Sequence, residues 1–390
     1  MSDMMTLDRQ YVANTYNRFP VELVRGEGSY VWDTDGKRYI DMGSGIAVNS
    51  FGFCDKEWQA AVVNQLSTLQ HTSNLYYTSP CARLAELLCN RTGMKKVFFS
   101  NSGAEANECA IKVARKYAAE KKGSEFSTIV TLQNSFHGRT LTTLAATGQE
   151  HYHELFQPLT PGFIHVPAND IAAMEEAVTK HKVAGILLEC VQGEGGINTL
   201  DGDYLRAVEA IAKREDIVLM IDEVQTGNGR SGSLYAYMCF GITPDVVTTA
   251  KGLGAGLPIG AALLSEKVER VLGFGDHGST FGGNPVCCAG ALSVLERLDD
   301  DFLATVTQKS NYIFENLQGA KGVKSVSGLG LMIGIECKKP AAEVVKACME
   351  KGVLCLTAKS KVRLLPALNI PMEALAEAIS VIKRVCAEEE

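Results

Sequence analysis

Asp245-Val-Val-Thr-Thr-Ala-Lys251-Gly-Leu-Gly-Ala-Gly-Leu-Pro-Ile-Gly260 is the stretch whose reading decides the fold. Its first half is a short apolar run rich in β-branched residues, which predicts a buried strand delivering one amine, Lys251, at its end. Gly252, Gly254, Gly256 and Gly260 follow, and their missing side chains let a bulky group approach the backbone. The bland reading of Lys251 is a surface cation at a strand end. The chemical reading is an amine that forms a Schiff base with a carbonyl cofactor. That chemistry also needs an anionic partner, a phosphate cradle and a ring-stacking group, which the rest of the chain must supply.

Working outward, the same rhythm repeats. Val97–Ser100, Thr128–Leu132, Gly185–Glu189 and Ile217–Ile221 are short apolar runs, each handing over to a polar or glycine-rich stretch. Helical segments such as Tyr204–Lys213 lie between them. This alternation predicts an α/β fold with a mainly parallel sheet. Ligands of such sheets bind beyond the carboxyl ends of the strands, so the five exits are expected to share one site. Before this region, Gly26–Met42 reads as a hairpin around Asp35-Gly36, and Trp58, Val62 and Leu66 are spaced for one helix face. His71–Pro80 reads as a surface connection. After residue 290, helices alternate with a strand pair around Gly328–Gly334, a strand at Val362–Ile370 and a closing amphipathic helix. The expected organisation is an N-terminal segment (1–50) joined to a C-terminal α+β domain (291–390), with a large domain between them (51–290).

The exits carry the expected groups. Asp222 ends the run Ile217–Ile221; a carboxylate there needs a partner, and either a pyridinium N–H, a helix cap or a salt bridge would serve. Ser100-Asn-Ser-Gly-Ala-Glu-Ala-Asn107 joins a strand to a helix whose N-terminal N–H groups suit a phosphate, or is a plain capping box of Ser102 with Glu105. Phe136 in Ser135-Phe-His-Gly-Arg139 offers a ring face and Arg139 a carboxylate clamp, against core and surface alternatives. Arg363 is a cation within an apolar strand, and Glu194 in the Gln192–Gly196 loop is its candidate partner. Gly227-Asn-Gly-Arg-Ser-Gly232 matches the dinucleotide pattern GxGxxG. Four residues separate it from the strand and no helix follows directly, so a glycine loop is the better reading than a nicotinamide site.

Composition narrows the classes. A chain of 390 residues exceeds one compact core. A net charge of −7 disfavours a nucleic-acid surface. No window approaches the roughly 18 apolar residues of a membrane span, and Met1–Tyr16 lacks the pattern of a secretory signal or transit peptide. The twelve cysteines form no CxxC pair, and no HExxH occurs. Buried thiols in a reducing, cytoplasmic setting are expected, and no metal site.

From about Tyr16 to Asn369 the ordered set NSGAEAN, SFHGRT, QGEGG, DEVQTGNGRSG, AKGLGAGLPIG and HGSTFGGNP resembles class III (ornithine-type) pyridoxal-phosphate aminotransferases. The resemblance implies a fold type I transferase that uses pyridoxal 5'-phosphate and works as a homodimer with a shared active site. RGEGSYVWDTDGKRYIDM, GIAVN and HTSNLYY are most similar to the branch that moves the δ-amino group between N2-acetyl-L-ornithine and 2-oxoglutarate in arginine biosynthesis. Succinylornithine, succinyldiaminopimelate, ornithine and 4-aminobutyrate are the rival donors. By the resemblance, Lys251 binds the cofactor and shuttles the proton, and Asp222 keeps the pyridinium protonated. Val224 and Phe136 sandwich the ring, Glu223 and Gln225 belong to the same cofactor-binding segment, and Gln225 meets the phenolic oxygen. Ser102, Gly103 and Ala104 bind the phosphate, with Thr280 supplied by the other subunit. Arg139 holds the distal carboxylate, Arg363 the α-carboxylate of glutamate, Glu194 neutralises Arg363 when acetylornithine is bound, and Ser279 lies near the substrate. Ornithine aminotransferases carry a tyrosine where this chain has Gly45, which favours an N-acylated donor. Ala104 and Cys190 stand where the family commonly has threonine and proline.

Overall fold

The computed structural model describes residues 3–388. Its centre is a seven-stranded sheet. In spatial order the strands are Lys96–Ser100, Gly260–Leu264, Val246–Thr249, Val218–Asp222, Val183–Leu188, Thr128–Leu132 and Phe163–Val166. Only Gly260–Leu264 runs antiparallel to its neighbours; the other adjacent pairs are parallel. Successive residues of one strand enter opposite cores. Val218 and Met220 join one apolar cluster, and Leu219 and Ile221 join the other, as the two-residue period of a doubly covered strand requires.

Two strands are not legible from the sequence. Phe163–Val166 carries a histidine, and Gly260–Leu264 begins inside the glycine run that masks it. The 20-residue helix Gly103–Lys122 covers one sheet face with Cys109, Ala110, Val113, Ala114 and Tyr117. Asp55 caps the helix Lys56–Thr68 by accepting from the Trp58 N–H. Its expected apolar face is only half covered, because Leu66 is exposed.

Leu23–Glu27, Tyr30–Asp33 and Arg38–Asp41 form an antiparallel meander turning at Gly36 (φ 80°). Val353–Leu354 adds in parallel to Arg38–Asp41, which stitches the beginning of the chain to its end. A second antiparallel sheet contains Val323–Leu329, Met332–Cys337, Lys361–Leu364 and Leu356–Ala358. The helices Asp300–Leu317, Ala341–Glu350 and Met372–Ala387 accompany it, and their buried faces belong to the larger apolar cluster. The GxGxxG segment lies between these regions. Arg230 donates to the carbonyls of Leu331 and Pro366, while Asn228 donates to Thr249 Oγ1 and the Ala250 carbonyl. No helix opens on it, so the nicotinamide alternative falls: this loop braces the turn that carries Lys251.

Candidate active site

A cavity of about 630 Å³ opens at the carboxyl ends of the parallel strands. Ser102, Gly103, Ala104, Phe136, Arg139, Asp222, Val224, Gln225 and Lys251 all line it, so the separate strand exits do converge. Lys251 follows the strand Val246–Thr249 and sits at φ 47°, a left-handed conformation rare for a side-chain-bearing residue. Such strain persists only where its surroundings enforce it. Here they include Asn228 on Thr249 and Ala250, and the Ser50 hydroxyl donating to the Gly252 carbonyl at 3.1 Å. Among the described residues no protein acceptor takes a hydrogen bond from the Lys251 ammonium. Burial pushes its pKa below the ordinary lysine value, Arg363 adds to this, and the Glu194, Asp222 and Glu189 carboxylates oppose it. A deprotonated amine is the nucleophilic form.

Asp222 is held from three directions. Its Oδ2 accepts from Asn107 Nδ2 at 2.7 Å and from His137 Nδ1 at 2.8 Å, and its Oδ1 accepts from the Val224 N–H at 3.0 Å. Asn107 is itself fixed, donating to the His137 carbonyl and accepting from the Thr248 hydroxyl. Sequence reasoning singles out neither Asn107 nor His137. Asn107 had a signal: it shares the helix face of Ile111, Ala114 and Ala118, and a polar residue on an apolar stripe must be hydrogen-bonded. His137 had none beyond its place beside Phe136.

At the N-terminus of the helix Gly103–Lys122 the Ser102 hydroxyl accepts from the Glu105 N–H, and Glu105 reaches back to the Asn101 N–H. The Ser102 cap is therefore real, but the full capping box is not formed, because Glu105 reaches the Asn101 N–H and not that of Ser102. The cap does not exclude an anion, since the first-turn N–H groups of Gly103 and Ala104 have no intrahelical acceptor. The surrounding loops pack closely. A Cβ on Gly103 would lie 2.6 Å from Val224, and one on Gly138 would lie 2.8 Å from the Ala104 methyl. Phe136 meets Tyr152 edge-on at 6.0 Å, and the Arg139 guanidinium stacks 4.2 Å over the Tyr152 ring.

Behind Gln225 lies Arg363, which is 4% exposed. Its Nη1 donates to Glu194 Oε1 at 2.5 Å and to Gln225 Oε1 at 3.3 Å. Burial pushes the Glu194 carboxyl up, but Arg363 beside it prevails and holds it below its ordinary value. Arg363 Nε is buried with no partner.

Five expected residues lie apart from the cavity lining: Glu194 and Arg363, which reach it through Gln225, and Glu223, Ser279 and Thr280. The Glu223 side chain turns into the protein, accepting from the Tyr237 N–H at 2.8 Å and the Thr226 hydroxyl at 2.5 Å. Its carboxylate bonds within the protein and does not face the cavity. Ser279 accepts from Asn101 Nδ2 and the Gly282 N–H, and Thr280 is exposed. Tyr16 and Glu189 line the cavity without having been expected there.

The donor set matches pyridoxal phosphate. It offers an amine without a protein acceptor for the carbonyl, a fixed carboxylate for the pyridinium N–H, and a long helix N-terminus for the phosphate. Comparison with known proteins agrees. The family model for class-III aminotransferases matches residues 11–386. An acetylornithine aminotransferase of Haemophilus ducreyi is 53% identical over 384 residues, covering 98% of each chain. Another, from Methanocaldococcus jannaschii, is 46% identical, with 98% of this chain and 97% of that one covered. Among solved structures, ornithine aminotransferase from Toxoplasma gondii matches with a TM-score of 0.94 at 31% identity, covering 98% of this chain and 94% of that one. N-acetylornithine aminotransferase from Stenotrophomonas maltophilia matches with a TM-score of 0.84 at 34% identity, covering 98% of each chain.

Proposed function

The chain belongs to the class-III aminotransferases, and on that premise we propose that it moves the δ-amino group between N2-acetyl-L-ornithine and 2-oxoglutarate. It is a pyridoxal-phosphate enzyme. The observation that carries the reading is Lys251 together with a threefold-held Asp222 in one cavity, and a Glu194–Arg363 pair joined to that cavity through Gln225.

Bound in this cavity, pyridoxal phosphate supplies the electrophilic carbonyl and the electron sink of transamination. Lys251 and Asp222 would hold it, with Ser102, Gly103 and Ala104 at the phosphate, Val224 and Phe136 on the ring faces and Gln225 at the phenolic oxygen. Lys251 Nζ takes the proton from the substrate carbon that bears the transferred nitrogen: Cδ of acetylornithine, Cα of glutamate. Arg139 orients the distal carboxylate. With glutamate bound, Arg363 receives its α-carboxylate; with acetylornithine bound, Glu194 keeps that guanidinium neutralised, because a buried unpaired cation is costly. Ser279 lies close to the bound substrate.

Structural likeness alone would equally suit ornithine as donor, given the Toxoplasma match. Gly45 argues otherwise. A Cβ at this position would have only Asn49 and Val48 within 4 Å. Gly45 lines a neighbouring groove and not the cavity of Lys251; what it contributes to the reading is the missing side-chain contact to a free α-amine, which favours an acylated donor.

The same reading makes the enzyme a homodimer with Thr280 completing the partner's phosphate site, in a reducing cytoplasm. Leu75, Tyr76, Tyr77 and Phe274 are large, apolar and exposed on the single chain, a pattern that marks an interaction surface. All twelve cysteines are free thiols. No helix among the described residues is long and apolar enough to cross a membrane. We place the domain divisions near residues 50 and 290. Specificity constants for acetylornithine, succinylornithine, ornithine, succinyldiaminopimelate and 4-aminobutyrate test the donor: acetylornithine should rank first, and a clear win by another amine would replace it. Sedimentation of the holoenzyme tests the dimer; a monomer of full activity would end that part of the reading.

A further inference from the structure

Glu189 directly follows the strand Val183–Leu188, is 5% exposed and lines the cavity. Nothing in the transamination chemistry above uses it. Its two oxygens serve different loops: Oε2 accepts from the Phe136 N–H at 3.0 Å, and Oε1 accepts from the Gly193 N–H at 3.2 Å. The first loop carries the ring-covering Phe136 together with His137 and Arg139. The second carries Glu194.

Gly193 is also the floor under Gln225. A Cβ there would sit 2.6 Å from Gln225 Nε2, and Gln225 in turn contacts both Glu194 and Arg363. The two loops touch directly as well: Gln192 Nε2 donates to the Gln133 carbonyl at 2.8 Å, and a Cβ on Gly195 would lie 2.6 Å from the Asn134 carbonyl oxygen.

We propose that Glu189 is a positioning residue: one buried carboxyl brackets the Phe136 loop to the Gly193 turn, setting the cofactor-facing ring in register with the Glu194–Arg363 pair. A carboxylate suits this place because both loops present N–H donors, and only a group with two acceptor oxygens satisfies both. Burial, with Asp222 nearby and His137 opposing, pushes its pKa up to about 7. The inference rests on the aminotransferase reading for its kinetic consequence but not for its structural one.

Glu189→Gln tests it, because an amide keeps the volume and turns one acceptor into a donor facing another donor. In the holoenzyme, amide hydrogen exchange should accelerate about tenfold, the equivalent of one lost hydrogen bond, at Phe136 or Gly193 and their immediate neighbours. The central strands should keep their protection. The ratio of kcat/KM for glutamate over acetylornithine, taken from the separate half-reactions, should shift by a similar factor, and Glu189→Asp should not restore it, since the shorter side chain cannot span both loops. Exchange unchanged at both loops overturns the bracket. A uniform fall in both half-reactions at constant ratio overturns the coupling and leaves a merely structural residue. If Glu189→Gln does not fold, exchange in the wild-type holoenzyme decides: the Phe136 and Gly193 amides should be protected alike, and an unprotected amide at either position contradicts the proposal. If the wild-type chain fails to transaminate at all, the function is wrong while the exchange result still stands or falls by itself.

Discussion

The two charged centres of the candidate site, Asp222 in the cavity and Arg363 behind Gln225, are built in opposite ways. Asp222 receives three hydrogen bonds from three separate segments, the helix Gly103–Lys122, the Phe136 loop and its own turn, and two of its partners are pinned in their turn. Arg363 answers chiefly to one carboxylate, Glu194, whose side chain is 27% accessible and sits on a glycine-flanked loop. A group that must present the same charge throughout a reaction gains from being over-determined. A group that must serve two substrates of different charge needs a partner that can leave. The difference in wiring separates the permanent half of the site from the exchangeable half.

The largest expected effect breaks the permanent half. Asp222→Ala should lower kcat for both half-reactions by roughly a thousandfold or more, the scale on which preorganised electrostatic groups act, as rapid-mixing absorbance would show. Arg363→Ala attacks the exchangeable half and should be selective: about a hundredfold loss in kcat/KM for glutamate, comparable to removing one member of a desolvated ion pair, with a much smaller change for acetylornithine. Equal losses would erase the distinction. Asn107→Ala loosens the permanent half without removing it, and about tenfold weaker cofactor retention is expected from the lost hydrogen bond to a buried carboxylate, measured by the rate of apoenzyme formation on dialysis.

The smallest effect concerns Glu223, next to Asp222 but facing inward. Burial pushes its pKa from the ordinary 4.5 up to about 7, so the folded state binds a proton that the unfolded state has released. Stability therefore falls as pH rises from 4.5 through 7 and levels off above. Glu223→Gln should flatten that part of the melting-temperature profile, and an unchanged slope would assign the pH dependence elsewhere.

These contrasts also show what can be read in the sequence. The strand exits, the lysine and the aspartate are legible because each is a charged or glycine-rich break at the end of an apolar run, and Arg363 because it is a cation inside one, with Glu194 as its nearest candidate partner. The wiring behind them is not. Asn107 and His137 become partners of Asp222 only when a helix face and a loop are folded onto a strand end, and no local pattern encodes that distance. Glu189 reads only as the last residue of a strand, although a buried terminal carboxylate must find donors. Adjacency groups Glu223 with its functional neighbours, but successive residues leaving a strand point to opposite sides, and that alternation sends it into the core. The strand Gly260–Leu264 is hidden by its leading glycine, whose Cβ would lie 2.3 Å from the Ser102 carbonyl oxygen. That glycine is there for close packing, not for a turn.

The most direct test of the exchangeable half is the pair of half-reactions of Glu194→Gln, followed by stopped-flow absorbance of the cofactor. With Arg363 no longer neutralised, the glutamate half-reaction should be retained or faster, while kcat/KM for acetylornithine should fall by about tenfold or more, the cost of leaving a buried guanidinium without its counter-charge. A variant in which both half-reactions fall together would contradict the account, because Glu194 would then be holding the site in shape and not choosing between its substrates.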